Sequence, residues 1–323
     1  MNVRIKIYGF TVMAVVVSSI LYWQWTPGQL HLNNHNNFQE NGLWMGHGWI
    51  GDDSWFKKYG KNINDFDANR LASLSKRASD LRIGYIFPHL CPTNSMGIVP
   101  GINQQRLTRL KVDFKKVKIL PWIGGSTEST VDLTSKQWTD GFVESIRNLL
   151  LNEDIDGVHV NIEPLTSGDE QFLVLLRRIH EIKGRKILSV AAYPPPTWFH
   201  PHPSVHWDLE YYRKVSLEAD QLVPMMYDTA LKYKKPYTHL LISWTKEIIN
   251  NSNDKNILFG IPAYDDKGVG YHDPDIENVS TSIPGIIAGV NSANSKRNFG
   301  LSIYSEWELD DEKIKNISEF IPK

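Results

Sequence analysis

The sequence predicts an α/β protein, a (β/α)8 barrel preceded by one N-terminal membrane-anchor helix. Three observations predict it. Eight short apolar segments recur between residues 42 and 323, helix-like stretches lie between them, and an almost uncharged run opens the chain. Eight strands alternating with helices over roughly 280 residues match the size and rhythm of such a barrel. An open doubly wound sheet is the competing fold, but no glycine-rich nucleotide fingerprint follows the first apolar segment.

The opening run spans Ile7 to Trp23, follows Arg4 and Lys6, and precedes the aromatic Trp25. At roughly 17 residues it sits at the lower limit for a membrane span. The next basic residue is Lys57, so the positive-inside bias predicts a cytoplasmic N-terminus and an extracytoplasmic barrel, secreted if the signal is cleaved. Residues 1–25 are thus expected to be a single-pass cell-membrane anchor. Residues 26–41, polar and rich in asparagine, are expected to be a flexible tether. The barrel begins at Gly42.

The expected strands are Leu43–Ile50, Leu81–Pro88, Val117–Ile123, Gly157–Glu163, Lys186–Ala192, Gln221–Tyr227, Asn256–Pro262 and Phe299–Tyr304. Apolar spacing predicts helices over Asn103–Phe114, Ser135–Leu151, Glu170–Ile182 and Tyr237–Asn250. The fourth strand is the most informative. Val158, Val160 and Ile162 alternate with His159, Asn161 and Glu163, placing three polar side chains on one face. Alternation alone leaves open whether that face is a site or merely solvated.

Barrel active sites lie at the carboxyl ends of the strands. There the chain places Trp49, Trp122, Asn161, Glu163, Tyr193, Tyr227, Asp228, Tyr264, Tyr304, Glu306 and Trp307, with His47 and His89 as core or rim residues. Aromatic rings and carboxylates around one mouth suit a carbohydrate cleft, since sugar faces stack on aromatic rings. The chain has 323 residues, a formal net charge of −1 and a hydrophobic content of 41%. That balance gives no basic surface for nucleic acid. Cys91, the single cysteine, excludes an intrachain disulfide and a cysteine-based zinc cluster. The histidines of His200-Pro201-His202-Pro203-Ser204-Val205-His206 lack helical spacing and read as a loop over the mouth, not a metal site. No metal or organic cofactor is implied.

Four motifs, in order and at barrel spacing, resemble glycoside hydrolase family 18, the chitinases and endo-β-N-acetylglucosaminidases. Asp156-Gly157-Val158-His159-Val160-Asn161-Ile162-Glu163 resembles its Asp-Gly-x-Asp-x-Asp-x-Glu. Met225-Met226-Tyr227-Asp228 resembles its Met-x-Tyr-Asp, Gly124-Gly125 its glycine pair, and Trp307 its tryptophan closing the last strand. The resemblance implies substrate-assisted, retaining hydrolysis of a β-linked N-acetylhexosamine polysaccharide. In it, Glu163 serves as general acid and base, Tyr227 bonds the acetamido carbonyl, Asp228 supports the polar site and Trp307 floors the reacting sugar. Trp122, Tyr193, Tyr264, Glu306 and Trp49 are expected around the substrate.

Two family aspartates are replaced, by His159 and Asn161. The loss of charge at Asn161 weakens electrostatic stabilisation, although Asn161-Ile162-Glu163 resembles the Asn-x-Glu pair of the family 85 endo-β-N-acetylglucosaminidases. His159 is expected to be a hydrogen-bonded core histidine. A second reading makes Glu163 one of two carboxylates, partnered by Asp265, Asp266 or Glu306. A third is a sugar-binding barrel without catalysis.

Overall fold

The computed structural model describes residues 3–29, 40–62 and 68–320. Most of the expected tether, at 30–39, therefore lies outside the described residues. Nine strands alternate with helices: α1 (Val3–Gln24), β1 (Asn41–Met45), α2 (Asp53–Lys58), α3 (Ala68–Asp80), β2 (Ile83–Pro88), α4 (Gln104–Asp113), β3 (Lys118–Ile119) and β4 (Trp122–Ser126) come first. Then follow α5 (Lys136–Leu150), β5 (Gly157–Glu163), α6 (Glu170–Ile182), β6 (Ile187–Ala192), α7 (Leu209–Glu218), β7 (Gln221–Pro224), α8 (Lys234–Asn251), β8 (Asn256–Pro262), α9 (Val279–Ser292), β9 (Gly300–Tyr304) and α10 (Asp311–Ser318).

The strands run in the order β3-β2-β1-β9-β8-β7-β6-β5-β4, every pairing parallel. β3 and β4 are two halves of one stave. Pro121, which has no N–H to give a ladder, separates them where an unbroken strand over Val117–Ile123 was expected. The ring closes through this stave, because the Asp156 N–H donates to Ile119 O at 2.9 Å and the His159 N–H to Pro121 O at 2.9 Å. The result is the expected eight-stave α/β barrel.

The alternation on β5 resolves cleanly. Val158, Val160 and Ile162 are buried in the layer between strands and helices, which stabilises the stave by about 2 kcal/mol per side chain. His159, Asn161 and Glu163 consequently face the barrel axis, not a solvated surface. Inside the barrel Trp44, Tyr85, Phe87, Leu120, Val223 and Leu258 form a separate apolar plug.

The remaining differences have local causes. β1 stops at Met45 because Gly46-His47-Gly48 turns the chain, Gly48 with φ 94°. The stave expected to reach Tyr227 pairs regularly only to Pro224, with Met225 bridging Gly260 beyond it. Helices α3, α7 and α9 were not legible. In α9, Pro284 interrupts the pattern, and Gly285 and Gly289 let α8 approach closely at Leu241 and Thr245.

The N-terminal helix forms over Val3–Gln24, and its side chains from Phe10 to Trp23 are exposed. Among the described residues, however, no helix is long and apolar enough to cross a membrane. The spanning anchor expected over residues 1–25 is thus unsupported: the apolar run falls short of about 20 residues and contains Thr11, Ser18 and Ser19. The C-terminal end of the helix is tied to α8. Lys235 Nζ donates to the carbonyls of Tyr22 and Trp23 at 2.8 and 2.9 Å, placing a cation at the negative end of the helix dipole.

Candidate active site

β5 grades from core to mouth. His159, fully buried, accepts from Trp44 Nε1 at 3.1 Å, pairs through Nδ1 with Ser189 Oγ at 2.9 Å, and stacks on Phe87. Burial pulls its pKa down to about 3, so the imidazole is neutral and structural. Next on that face is Asn161. Its stave neighbour is Gly124, with φ 129°, where a Cβ would stand 2.0 Å from Asn161 O. Only glycine fits so close an approach. Asn161 Oδ1 is buried and has no hydrogen-bond partner.

Glu163 ends the strand. The Tyr193 hydroxyl donates to its Oε2 at 3.4 Å. Burial raises its pKa, hydrogen bonds from Asn161 and Tyr193 lower it, and the Asp228 charge raises it again, leaving it above the ordinary carboxylate range. A carboxyl whose pKa burial raises, at the mouth of a barrel, is equipped to be a general acid.

Opposite, at the end of β7, stand Tyr227 and Asp228. Asp228 has φ 60°, a left-handed conformation uncommon outside glycine. It accepts a short hydrogen bond from the Tyr264 hydroxyl. Tyr304, at the end of β9, lies centrally. Its ring stacks on Tyr227 at 5.7 Å and meets Tyr264 and Trp307 edge-on at 5.4 and 5.5 Å. Tyr304 was legible as a strand-end aromatic but not as the hub of the site.

From Tyr304 a cleft of about 500 Å³ runs outward, bounded by Trp122, Trp307, Trp55, His89 and Arg70. Trp307 is 44% exposed and its ring lies over Gly46, where a Cβ would come within 3.1 Å. The structure therefore brings Glu163, Asn161, Tyr193, Tyr227, Asp228 and Tyr264 together at one end, and Trp122 and Trp307 beside them. Trp49 stands apart. It is buried, and its indole N–H donates to Glu306 Oε2 at 3.1 Å. Glu306 is itself held by Arg70 at 3.2 Å, and Asp265, on the rim, pairs with Lys313; Asp266 is exposed.

Among the described residues, two groups set histidine and carboxylate atoms close together: His47, Asp52 and His89, and Asp228, His272 and Glu277. In the first, His47 and His89 converge on one Asp52 oxygen. Burial pushes the Asp52 pKa up, but both imidazoles outweigh it and hold it at about 2. In the second, the Glu277 oxygens already accept from Thr229 and Asp228 Oδ1 from Tyr264. In both groups the carboxylates are already engaged by neighbouring side chains or backbone. Within the His200–His206 loop the imidazoles serve as braces: His200 pairs with His206 at 2.7 Å and with Thr229 O at 2.9 Å.

Comparisons with known proteins accord with this geometry. The family model for glycosyl hydrolases family 18 matches residues 66–319. Among solved structures, the chain is similar to a chitinase from Chromobacterium violaceum ATCC 12472, at 16% identity and a TM-score of 0.60, covering 80% of this chain and 97% of that one. It is also similar to the spore cortex-lytic enzyme SleL of Bacillus megaterium QM B1551, at 12% identity and a TM-score of 0.61, covering 89% and 75%. A third is a class V chitinase from Pseudomonas fluorescens Pf-5, at 12% identity and a TM-score of 0.59, covering 87% and 99%. No curated protein matches the chain. At these identities the structures speak to the fold, and the family match spans most of the barrel that carries the site: the chain belongs to glycosyl hydrolases family 18 and is a glycosidase.

Proposed function

We propose that the protein hydrolyses a β-linked N-acetylhexosamine polymer, chitin-like in its chemistry, by substrate-assisted catalysis with retention. The leaving glycosidic oxygen takes the Glu163 proton as its bond to the anomeric carbon breaks. The substrate's own acetamido oxygen forms the new bond to that carbon. Glu163, now a carboxylate, then removes a proton from water, which attacks the same carbon, breaks its bond to the acetamido oxygen and so restores the acetamido group and releases the sugar. Tyr227 donates to the acetamido carbonyl, Trp307 and Trp122 give the sugar rings a platform, and Tyr193 steadies Glu163.

The observation that carries this reading is the pairing, on one strand face, of a carboxyl whose pKa burial raises with an unpartnered acceptor. Asn161 Oδ1, buried and free, is suited to the acetamido N–H of a sugar whose leaving oxygen reaches Glu163. The two-carboxylate reading is weaker, because Glu306 is bound by Arg70 and Trp49 and Asp265 by Lys313. A binder without catalysis has no use for a glutamate whose pKa is raised in this way.

The test is the pH dependence of kcat/KM, which reports the first step. Glu163 must be protonated there, so kcat/KM should fall as pH rises through its pKa, with the midpoint above the ~4.3 of an ordinary glutamate. A midpoint at the ordinary value, or no dependence on Glu163, counts against the assignment.

We further infer an extracytoplasmic barrel delivered by the N-terminal segment, whose exposed Phe10, Met13, Leu21 and Trp23 favour an apolar surrounding. Fractionation should find the full chain outside the cytoplasm. Recovery with cytoplasmic markers would refute it.

A further inference from the structure

The family motif supplies negative charge beside its glutamate from strand-borne aspartates. Here those positions are His159, neutral in the core, and Asn161, which bears no charge. Glu163 nevertheless faces a negative charge, that of Asp228 across the mouth. Asp228 sits in a left-handed backbone conformation, which persists only where the surroundings enforce it.

Three side chains pack around it. The Tyr264 hydroxyl donates to Asp228 Oδ1, and the Tyr264 ring stacks on His272 at 4.1 Å. His272 has no exposed side-chain surface. Its Nδ1 lies 3.4 Å from Asp228 Oδ1 and 3.9 Å from Glu277 Oε2, at ion-pair distance, and neither ring nitrogen makes a hydrogen bond. Glu277, equally buried, accepts from the Thr229 N–H at 3.1 and 3.2 Å and from Thr229 Oγ1 at 2.8 Å. It thereby pins the residue directly after Asp228.

The electrostatics agree with the geometry. Burial pulls the His272 pKa down, but the Asp228 and Glu277 carboxylates and the Tyr264 carbonyl together lift it above the ordinary imidazole value. Burial pushes Glu277 up to about 7, although Thr229 and His272 oppose it. The other titratable groups around Asp228 are the buried, neutral Tyr237 together with Tyr227, Tyr264, Tyr304 and Glu163. Burial pushes all five upward first, which keeps the four tyrosines uncharged near neutrality.

We propose that His272 and Glu277 are positioning residues that hold the Asp228 carboxylate in place as the negative charge facing Glu163, in the role that the replaced strand aspartates leave vacant. This rests on Glu163 as the acid, and its first readout needs no turnover. The Glu163 carboxyl is titrated by 13C NMR in the intact protein, its signal identified by its loss in Glu163→Gln. In His272→Gln the midpoint should fall by about one pH unit. The kcat on an N-acetylated substrate should drop on the order of tenfold with KM little changed. Adding Asn161→Asp, which returns a charge to the strand, should raise the midpoint again. A purely structural histidine would leave the Glu163 midpoint unchanged in His272→Gln. If His272→Gln does not fold, Glu277→Gln carries the same expectation. An unchanged Glu163 midpoint in the folded variant, or no rescue by Asn161→Asp, overturns the proposal. A shifted midpoint in a protein that hydrolyses no glycoside upholds the positioning role while refuting the function proposed above.

Discussion

Glu163→Gln should leave the barrel folded and sugar binding intact while lowering kcat on the order of 10³-fold. Glutamine keeps the shape and can still accept from Tyr193, whose hydroxyl reaches Glu163 Oε2 at 3.4 Å. It removes the proton the leaving oxygen needs and the carboxylate that later activates water. KM should change little, because the lost interaction belongs to the transition state. A variant with near wild-type kcat removes Glu163 from both roles. The measurement is steady-state kinetics beside a binding isotherm for the same oligosaccharide.

The second large effect is on stability, and it runs against the family pattern. His159→Asp would restore an aspartate of the resembled motif, yet it should destabilise the barrel by about 3 kcal/mol or more. The imidazole is fully buried, fills the space against Phe87 and Trp44, and is held neutral with its pKa pulled down to about 3. An aspartate there would bring a charge into an apolar plug and leave a void where the ring was. Trp44 Nε1 and Ser189 Oγ could offset part of this, but among the described residues no cation is in contact with it. Urea denaturation measures it. An undiminished midpoint would show that the interior around His159 is wetter or more adaptable than its packing implies.

The contrast between His159 and Asn161 shows how far the sequence could be read. Strict alternation on β5 made both faces legible, and the barrel rhythm said which end carried chemistry. The pattern did not say that the polar face points inward; that followed once the Val158, Val160 and Ile162 face met the helices. Trp49 was grouped with the site because the first strand was expected to run to Ile50, but the turn after Met45 folds its indole inward onto Glu306. Sequence position gave proximity to the mouth there, not direction. His272 and Glu277 carried no signal. They lie in a loop without periodicity, and only the fold brings them behind Asp228. The N-terminal run was legible as a helix, which needs only local propensity. Its expected passage through a membrane demanded more apolar length than the described helix has.

The measurement that most directly tests substrate-assisted catalysis is turnover of two glycosides identical except for the 2-acetamido group, by wild type and by Glu163→Gln. The account predicts hydrolysis confined to the acetamido substrate and lost in the variant. Equal hydrolysis of both by the wild type would contradict it, since a mechanism indifferent to the acetamido group must draw its nucleophile from the protein.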